Sequence, residues 1–527
     1  MRKNILRICN FVAILLLGGC YSDKGSDAFM TLDDMTITFP SVSYDVAVGE
    51  NLEIAPGIDT KIAEEDLIYQ WEIYTRNPEE ERASFLPFEN GKNLDYTCSI
   101  GDLMPAIASY NIRLHVIQKS MERDFYSDVL SVSLTGVTGL MVLHGDDAKC
   151  DIGLLRATDF LLSEGTRETD NRPYWYSENN NNEKIEGVGK SIIQSLLDYQ
   201  LTIYGTSDFA DVVAITDKGA TVCNYSALNK KGDWTAMFLI PDACENKPQA
   251  YIVNAQKAFA IDNGELYVRA AQSGNVEFQT VNISRAVANV QAYVPKNKNS
   301  FFFDKDKRAF YAIPWMSEGV HDDDLTTEGG WTQMFGVETT NGNFNMADMQ
   351  ADLLDLETGG ASGHYMAVMK KNDGSGFLAE INYGASSTSQ WDYAKYDMSA
   401  LPDIAAAKFF AFGSDCVNMC YYATSSAVYN FAAYNGQSLN AEKLTDESGH
   451  VIDFGGEEIT MMKVLKPVMG DRTYYNSNKI LLVGTYEGTV GTGKLYSLKI
   501  NQVTGLVLDT TVFTGFDKIY DASMKGI

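Results

Sequence analysis

"AFAIDNGELYVRA", residues 258–270, holds an apolar run, a turn and a second, aromatic-bearing run in one short stretch. The first run is too short for a helix and suits a buried strand. Asn263-Gly264 follows Asp262 between the two runs, and Asn and Gly tolerate the positive φ that a tight hairpin between twisted strands demands. The same unit recurs along the chain. It begins at 139 ("GLMVLHGDDAKCDIGLLR"), 212 ("VVAITDKGATVCNY"), 301 ("FFFDKDKRAFYAIP"), 365 ("YMAVMKKNDGSGFLAEINY"), 409 ("FFAFGSDCVNMCYYATSSAVYNFAAY") and 479 ("KILLVGTYEGTVGTGKLYSLKINQVTGL"). Successive starts lie 73, 46, 43, 64, 44 and 70 residues apart. One supersecondary unit repeated at this spacing predicts radial repetition, and seven units predict a seven-bladed β-propeller over 137–527. Two β-sandwiches or a large lectin-like β domain form the competing architecture. The ending "VFTGFDKIYDASMKG" is expected to pair with the first unit and close the ring.

Residues 34–136 read differently. About seven short alternating segments, among them "LIYQWEIY" and "YNIRLHVIQK", are separated by Pro, Gly, Asn and Asp, which predicts an immunoglobulin-like sandwich. Trp71 is its expected core residue, and Tyr110, Ile112, Leu114 and Val116 share one buried face by period-2 alternation. Tyr69-Gln70-Trp71 and Tyr110-Asn-Ile-Arg-Leu114-His-Val116 resemble two strands of PKD-like domains, although "EIYTRNPEEER" stands where the family commonly carries a Gly-Asp-Gly turn.

The start of the chain reads as an address. Arg2, Lys3 and Arg7 precede about a dozen apolar residues, fewer than the ~20 that a membrane-spanning helix needs. Residues 1–19 are therefore expected to be a signal peptide, and Leu17-Gly18-Gly19-Cys20 resembles the lipobox of bacterial lipoproteins, with Cys20 the lipidated residue. Several acyl chains would make such an anchor effectively permanent. Polar residues 20–33 form a tether, in which Asp23 is compatible with an acidic surface-export signal. Signal, lipobox, PKD-like sandwich and repeated β domain in this order resemble the PKD-like family lipoproteins of Bacteroidota. The endings Gly493-Lys494-Leu495-Tyr496, Thr504-Gly505 and Phe516-Asp517-Lys518-Ile519 are also similar. The resemblance implies an outer-membrane, surface-exposed lipoprotein that accompanies TonB-dependent uptake systems and associated surface lipoproteins, with a periplasmic placement as the alternative, and it carries over no catalytic residues.

Composition narrows the partners. With 42 basic and 70 acidic residues the net charge is −28, which disfavours nucleic acid and anionic lipid. Beyond Cys9 and Cys20, Cys98, Cys150, Cys223, Cys244, Cys416 and Cys420 are too sparse for a disulfide scaffold, and Cys416 and Cys420, four apart on an expected strand, would sit about 13 Å from each other. The five histidines form no metal motif, and no nucleophile elbow, phosphate loop or dinucleotide fingerprint is present. No catalytic residue, cofactor or metal is expected. The loop "EGVHDDDLTTEGG", 318–330, reads as a solvated turn because adjacent carboxylates point apart.

Ligand binding is expected from aromatics in polar insertions. Tyr174, Trp175 and Tyr176 lie within "ETDNRPYWYSENNNNEKIEG" (168–187), Trp315 and Trp331 flank the acidic loop, and Trp391 sits in "GASSTSQWDYAKYD". If these loops share a face they form a shallow aromatic site for a glycan or peptide; the alternative for the first insertion is that it folds back and buries Trp175 over a blade. The sequence therefore reads as a non-enzymatic binding lipoprotein, with a propeller enzyme on glycans or peptides and a structural transporter partner as the alternatives.

Overall fold

The computed structural model describes residues 34–47, 50–76, 83–98, 103–104, 108–194, 211–225, 227–238, 240–254, 257–270, 290–296, 299–313, 332–333, 342–382, 391–466 and 474–526. The expected signal peptide, Cys20, the expected tether, Trp315, Trp331 and the acidic loop lie outside them. The chain is nearly all β and divides into two compact units, one drawn from residues 1–44, 52–96 and 110–132, the other from 45–51, 97–109 and 133–527.

The N-terminal sheet orders Ser43–Ala47, Leu130–Thr135, Ser109–Gln118, Leu67–Arg76 and Ala83–Asn90, with Arg123–Tyr126 also paired to Ser109–Gln118. Met35–Thr38 pairs with Gly57–Thr60, and Asn51–Ile54 with Leu94–Thr97. Alternation sorts the faces as expected except at Tyr110, near the start of its strand, which is only half-buried. Trp71, Ile112, Leu114 and Val116 are fully buried, and Trp71 lies opposite Leu114. The other face of the same strands is polar and aromatic. There Arg113 lies between the rings of Phe85 and Tyr126, at 3.9 and 4.2 Å from their centroids, while its Nε donates to Glu72 at 2.7 Å.

In the second unit the described residues carry seven successive antiparallel sheets. Their paired second and third strands are the segments singled out in the sequence: Gly139–Gly145 with Lys149–Arg156, Val212–Thr216 with Ala220–Cys223, Lys257–Asp262 with Glu265–Ala270, Asn299–Asp304 with Ala309–Ile313, His364–Lys371 with Gly376–Asn382, Cys420–Ala423 with Val428–Phe431, and Ile480–Tyr486 with Gly493–Ile500. Asn263 and Gly264 adopt φ of +48° and +84°, the paired left-handed conformation of the hairpin turn expected there. The unit at 409 contains three strands rather than two, because Phe409–Phe412 is a separate strand. Cys416 consequently lies in the turn before Cys420 rather than four residues along one strand, and all six cysteines in the described residues are free thiols.

The first strand of each sheet contacts the first strand of the next. The series runs Gly189–Gln194, Pro248–Asn254, Val290–Lys296, Ala351–Thr358, Phe409–Phe412 and Glu458–Val464. It closes through Lys518–Lys525, which touches both ends of the series. That last strand pairs antiparallel with Gly139–Gly145 of the first sheet, as expected from the sequence. Apolar residues from neighbouring sheets fill the spaces between them. Phe303 and Phe310 of the fourth sheet, for example, pack with Leu353, Tyr365 and Phe377 of the fifth.

Candidate functional site

The insertion after the first sheet folds in a way its polarity conceals. Trp175–Asn179 forms a short helix, α1, in which Trp175 and Tyr176 are only 6% and 3% exposed, while Tyr174 before it is half-buried. Buried Asp151 draws the helix down: its Oδ1 accepts the backbone N–H of Ser177 at 3.1 Å and that of Ile152 at 2.8 Å. Burial raises the Asp151 carboxyl above its ordinary range. His144, opposite Asp151 in the strand register, holds the approach to α1. Its Nδ1 accepts the N–H of Asp517 at 2.9 Å, so Nε2 carries the proton and donates to the carbonyl of Pro173 at 2.6 Å. Burial lowers the affinity of this imidazole for a second proton, in keeping with the neutral form that these bonds require. Trp175 and Tyr176 are thus packed inward instead of standing exposed in a loop.

Above Tyr176 lies a cleft of about 910 Å³. It is bordered by the start of Lys149–Arg156, by residues 182–186 after α1, by the turn between Val212–Thr216 and Ala220–Cys223, and by Lys230, Asp233, Thr235 and Asn246. Side chains tie these segments together. Asp217 Oδ1 accepts the N–H of Val188 at 2.8 Å, and Thr216 donates to the carbonyl of Glu186 at 2.9 Å. Asn180 donates to the carbonyl of Leu228 at 2.9 Å and accepts from the N–H of Lys230 at 2.8 Å. Asn179 and Asn180 also donate back to the carbonyls of Trp175 and Tyr176, each at 2.7 Å. The chain then reverses through Asn181 and Asn182 at φ +57° and +61°, a conformation that asparagine tolerates better than most residues. The run of four asparagines, 179–182, is therefore the sequence signal that marks this wall, which a search for exposed aromatics passes over.

The cleft is densely charged yet internally matched. Lys149 pairs with Glu186 at 2.7 Å and Lys230 with Asp233 at 2.7 Å. Lys184 and Lys218 stand 3.6 Å from Asp517 and Asp217. The hydrogen bond to Glu186 shifts the Lys149 ammonium upward, which keeps it charged throughout the physiological range. Lys184 also lies 4.9 Å from the centre of the Tyr174 ring. The arrangement supplies fixed donors and acceptors around an open volume at the upper end of the about 300–1,000 Å³ of small-ligand sites.

Among the described residues, the expected aromatics do not all converge on this cleft. Trp391 is half-buried against the core shared by the fourth and fifth sheets, after the end of Gly376–Asn382 that lies opposite the 372–375 turn. The cleft, by contrast, adjoins the equivalent turns of the first and second sheets, and of the four expected aromatics among the described residues, Tyr174, Trp175, Tyr176 and Trp391, only Tyr176 lines it.

A family model described as PKD-like family matches residues 20–183, which takes in the N-terminal sheets, the first hairpin of the second unit and α1. No curated protein matches the sequence. Among solved structures, the chain is similar to the extracellular domain of a one component system from B. thetaiotaomicron, with 10% identity, 90% of this chain and 67% of that chain covered, and a TM-score of 0.37. It is also similar to the WD40 domain of Neurospora crassa Pan2, with 9% identity, 62% and 78% covered, and a TM-score of 0.35. For the WD40 domain of SCAP from fission yeast the values are 8% identity, 59% and 64% covered, and a TM-score of 0.32.

Proposed function

We propose that the chain is a cell-envelope lipoprotein, anchored in the outer membrane through Cys20, that binds a nutrient-derived ligand without transforming it and delivers it to a TonB-dependent uptake system. The PKD-like match supports this placement only through the lipoprotein family that the sequence resembles. The binding role rests on one observation: a pre-formed polar cleft of about 910 Å³ built from two neighbouring sheets and held by side-chain bonds that leave the lining donors and acceptors in place. The seven sheets, closed by the last strand, serve as the blades of a seven-bladed propeller that carries the cleft.

Membrane fractionation combined with affinity capture tests the proposal. The full chain expressed in a bacterium that processes lipoproteins is expected in the outer-membrane fraction, labelled by radioactive palmitate, and to recover a TonB-dependent transporter from solubilised membranes. Cys20→Ala is expected to lose the label and enter the soluble fraction. A wild-type chain that is unlabelled and soluble would overturn the anchoring, and labelled chain that recovers no transporter would overturn the uptake role.

A further inference from the structure

The charge pairing of the cleft points to its ligand class, a step that rests on the binding role proposed above. An anionic ligand needs a cation whose charge is not already compensated. All four lysines of the lining face carboxylates within ion-pair distance, and Glu183 adds an exposed carboxylate with no cation within ion-pair distance among the described residues. In a chain of net charge −28, such a site repels anions. A peptide draws much of its affinity from apolar side chains in apolar pockets, yet the apolar contribution to the lining comes from Ile185, Ala220 and Tyr176. A hydroxyl group, unlike either, both donates and accepts. An ammonium group set 2.7 Å from a carboxylate presents spare N–H donors beside spare acceptor lone pairs, a match for two adjacent hydroxyls on one sugar ring. The cleft carries two such pairs, Lys149 with Glu186 and Lys230 with Asp233, together with the hydroxyls of Thr221 and Thr235.

We propose that this cleft is the binding site of a neutral oligosaccharide, whose vicinal hydroxyls engage the Lys149–Glu186 and Lys230–Asp233 pairs.

Calorimetric titration of the full chain against three panels tests this: neutral hexose and pentose oligosaccharides, uronate-containing oligosaccharides, and short peptides. A neutral oligosaccharide is expected to bind with an affinity that changes little between low and high salt, because no net ligand charge is screened. Lys149→Met and Asp233→Asn are each expected to weaken it about tenfold or more, as hydrogen bonds to charged groups are lost, whereas Lys443→Met, at an exposed lysine outside the cleft, leaves it unchanged. Binding of uronates or peptides alone, abolished by the same substitutions, would overturn the ligand class and leave the cleft as the binding site. Oligosaccharide binding indifferent to both substitutions would overturn the cleft itself. Failure of every neutral panel member to bind would overturn the ligand class, whatever the fractionation experiment returns.

Discussion

Arg113 illustrates how much one side chain can carry on a sheet face. Its guanidinium is held between two aromatic rings and neutralises Glu72, whose residue is only 7% exposed. Arg113→Ala is expected to lower stability by about 2 kcal/mol, since it strips a counter-charge and a hydrogen bond from a buried carboxylate as well as removing the stacked stem. Chemical denaturation followed by circular dichroism measures the loss, and Arg113→Lys, which keeps charge without the planar fork, is expected to fall between the two. None of these partners is adjacent in sequence, so the assembly was not legible there. Trp71 was legible, because alternation alone places it on the inner face of its strand. Trp175 and Tyr176 mark the opposite outcome: the polarity around them suggested exposure, but the decisive partner, Asp151, lies in a strand more than twenty residues earlier.

At the scale of elements, the last strand does what no loop does. Lys518–Lys525 supplies a neighbour to Gly139–Gly145 and contacts the first strands of the second and last sheets. Lys525 donates to the carbonyl of Val137 at 2.6 Å and Asp521 accepts the N–H of Ile192 at 2.9 Å, which adds side-chain closure to the backbone ladder. Deleting residues 518–527 is expected to open the series, unpair Gly139–Gly145 on one edge and expose the apolar face that Ile519, Ala522 and Met524 cover. Loss of the cooperative thermal transition and rapid limited proteolysis within the second unit are the expected readings, and an intact transition would show that the sheets hold together without the strand. Hairpins were readable because their contacts are local, an apolar run meeting its partner across a few residues. The strand that joins the two ends was inferable only from its alternation, and its register with a strand almost four hundred residues away, including the shift at Leu143/His144, came from the fold.

Charge acts across the second unit as a whole. Asp355 on Ala351–Thr358 lies near Glu357, Lys463 and Lys466, side chains of the first strands of two sheets and the segment that follows, with Lys463 bonded to Asp521 of the closing strand at 2.7 Å. Dense packing, with Glu357 adding like-charge repulsion, pushes the Asp355 carboxyl up to about 8. A carboxyl whose affinity for its proton rises on folding binds more protons in the folded than in the unfolded state, so stability falls as pH rises from about 4 to about 8 and the contribution is lost above that. Asp355→Asn mimics the protonated form. The variant is expected to flatten this part of the profile and to melt above the wild type at about pH 8 to 9, as read by thermal denaturation across the range. Unchanged profiles would show that neighbouring lysines already compensate the ionised carboxylate.

The amino-acid sequence by itself determined the local units of this protein: which runs are strands, where the tight turns fall, that Trp71 enters the core of the N-terminal unit, and the seven hairpins found among the described residues. These depend on period-2 alternation and on turn residues, interactions that close within a few positions along the chain. Tertiary structure alone decided the cleft. Its walls come from five separated segments of the chain, Lys149 and Lys184 take their partners from distant segments while Lys218 and Lys230 pair within three residues, and its floor is Tyr176 of a helix held by a buried aspartate. No local pattern encodes that arrangement, because a binding site of this kind is a sum of long-range distances, and distance along the sequence does not record distance in space.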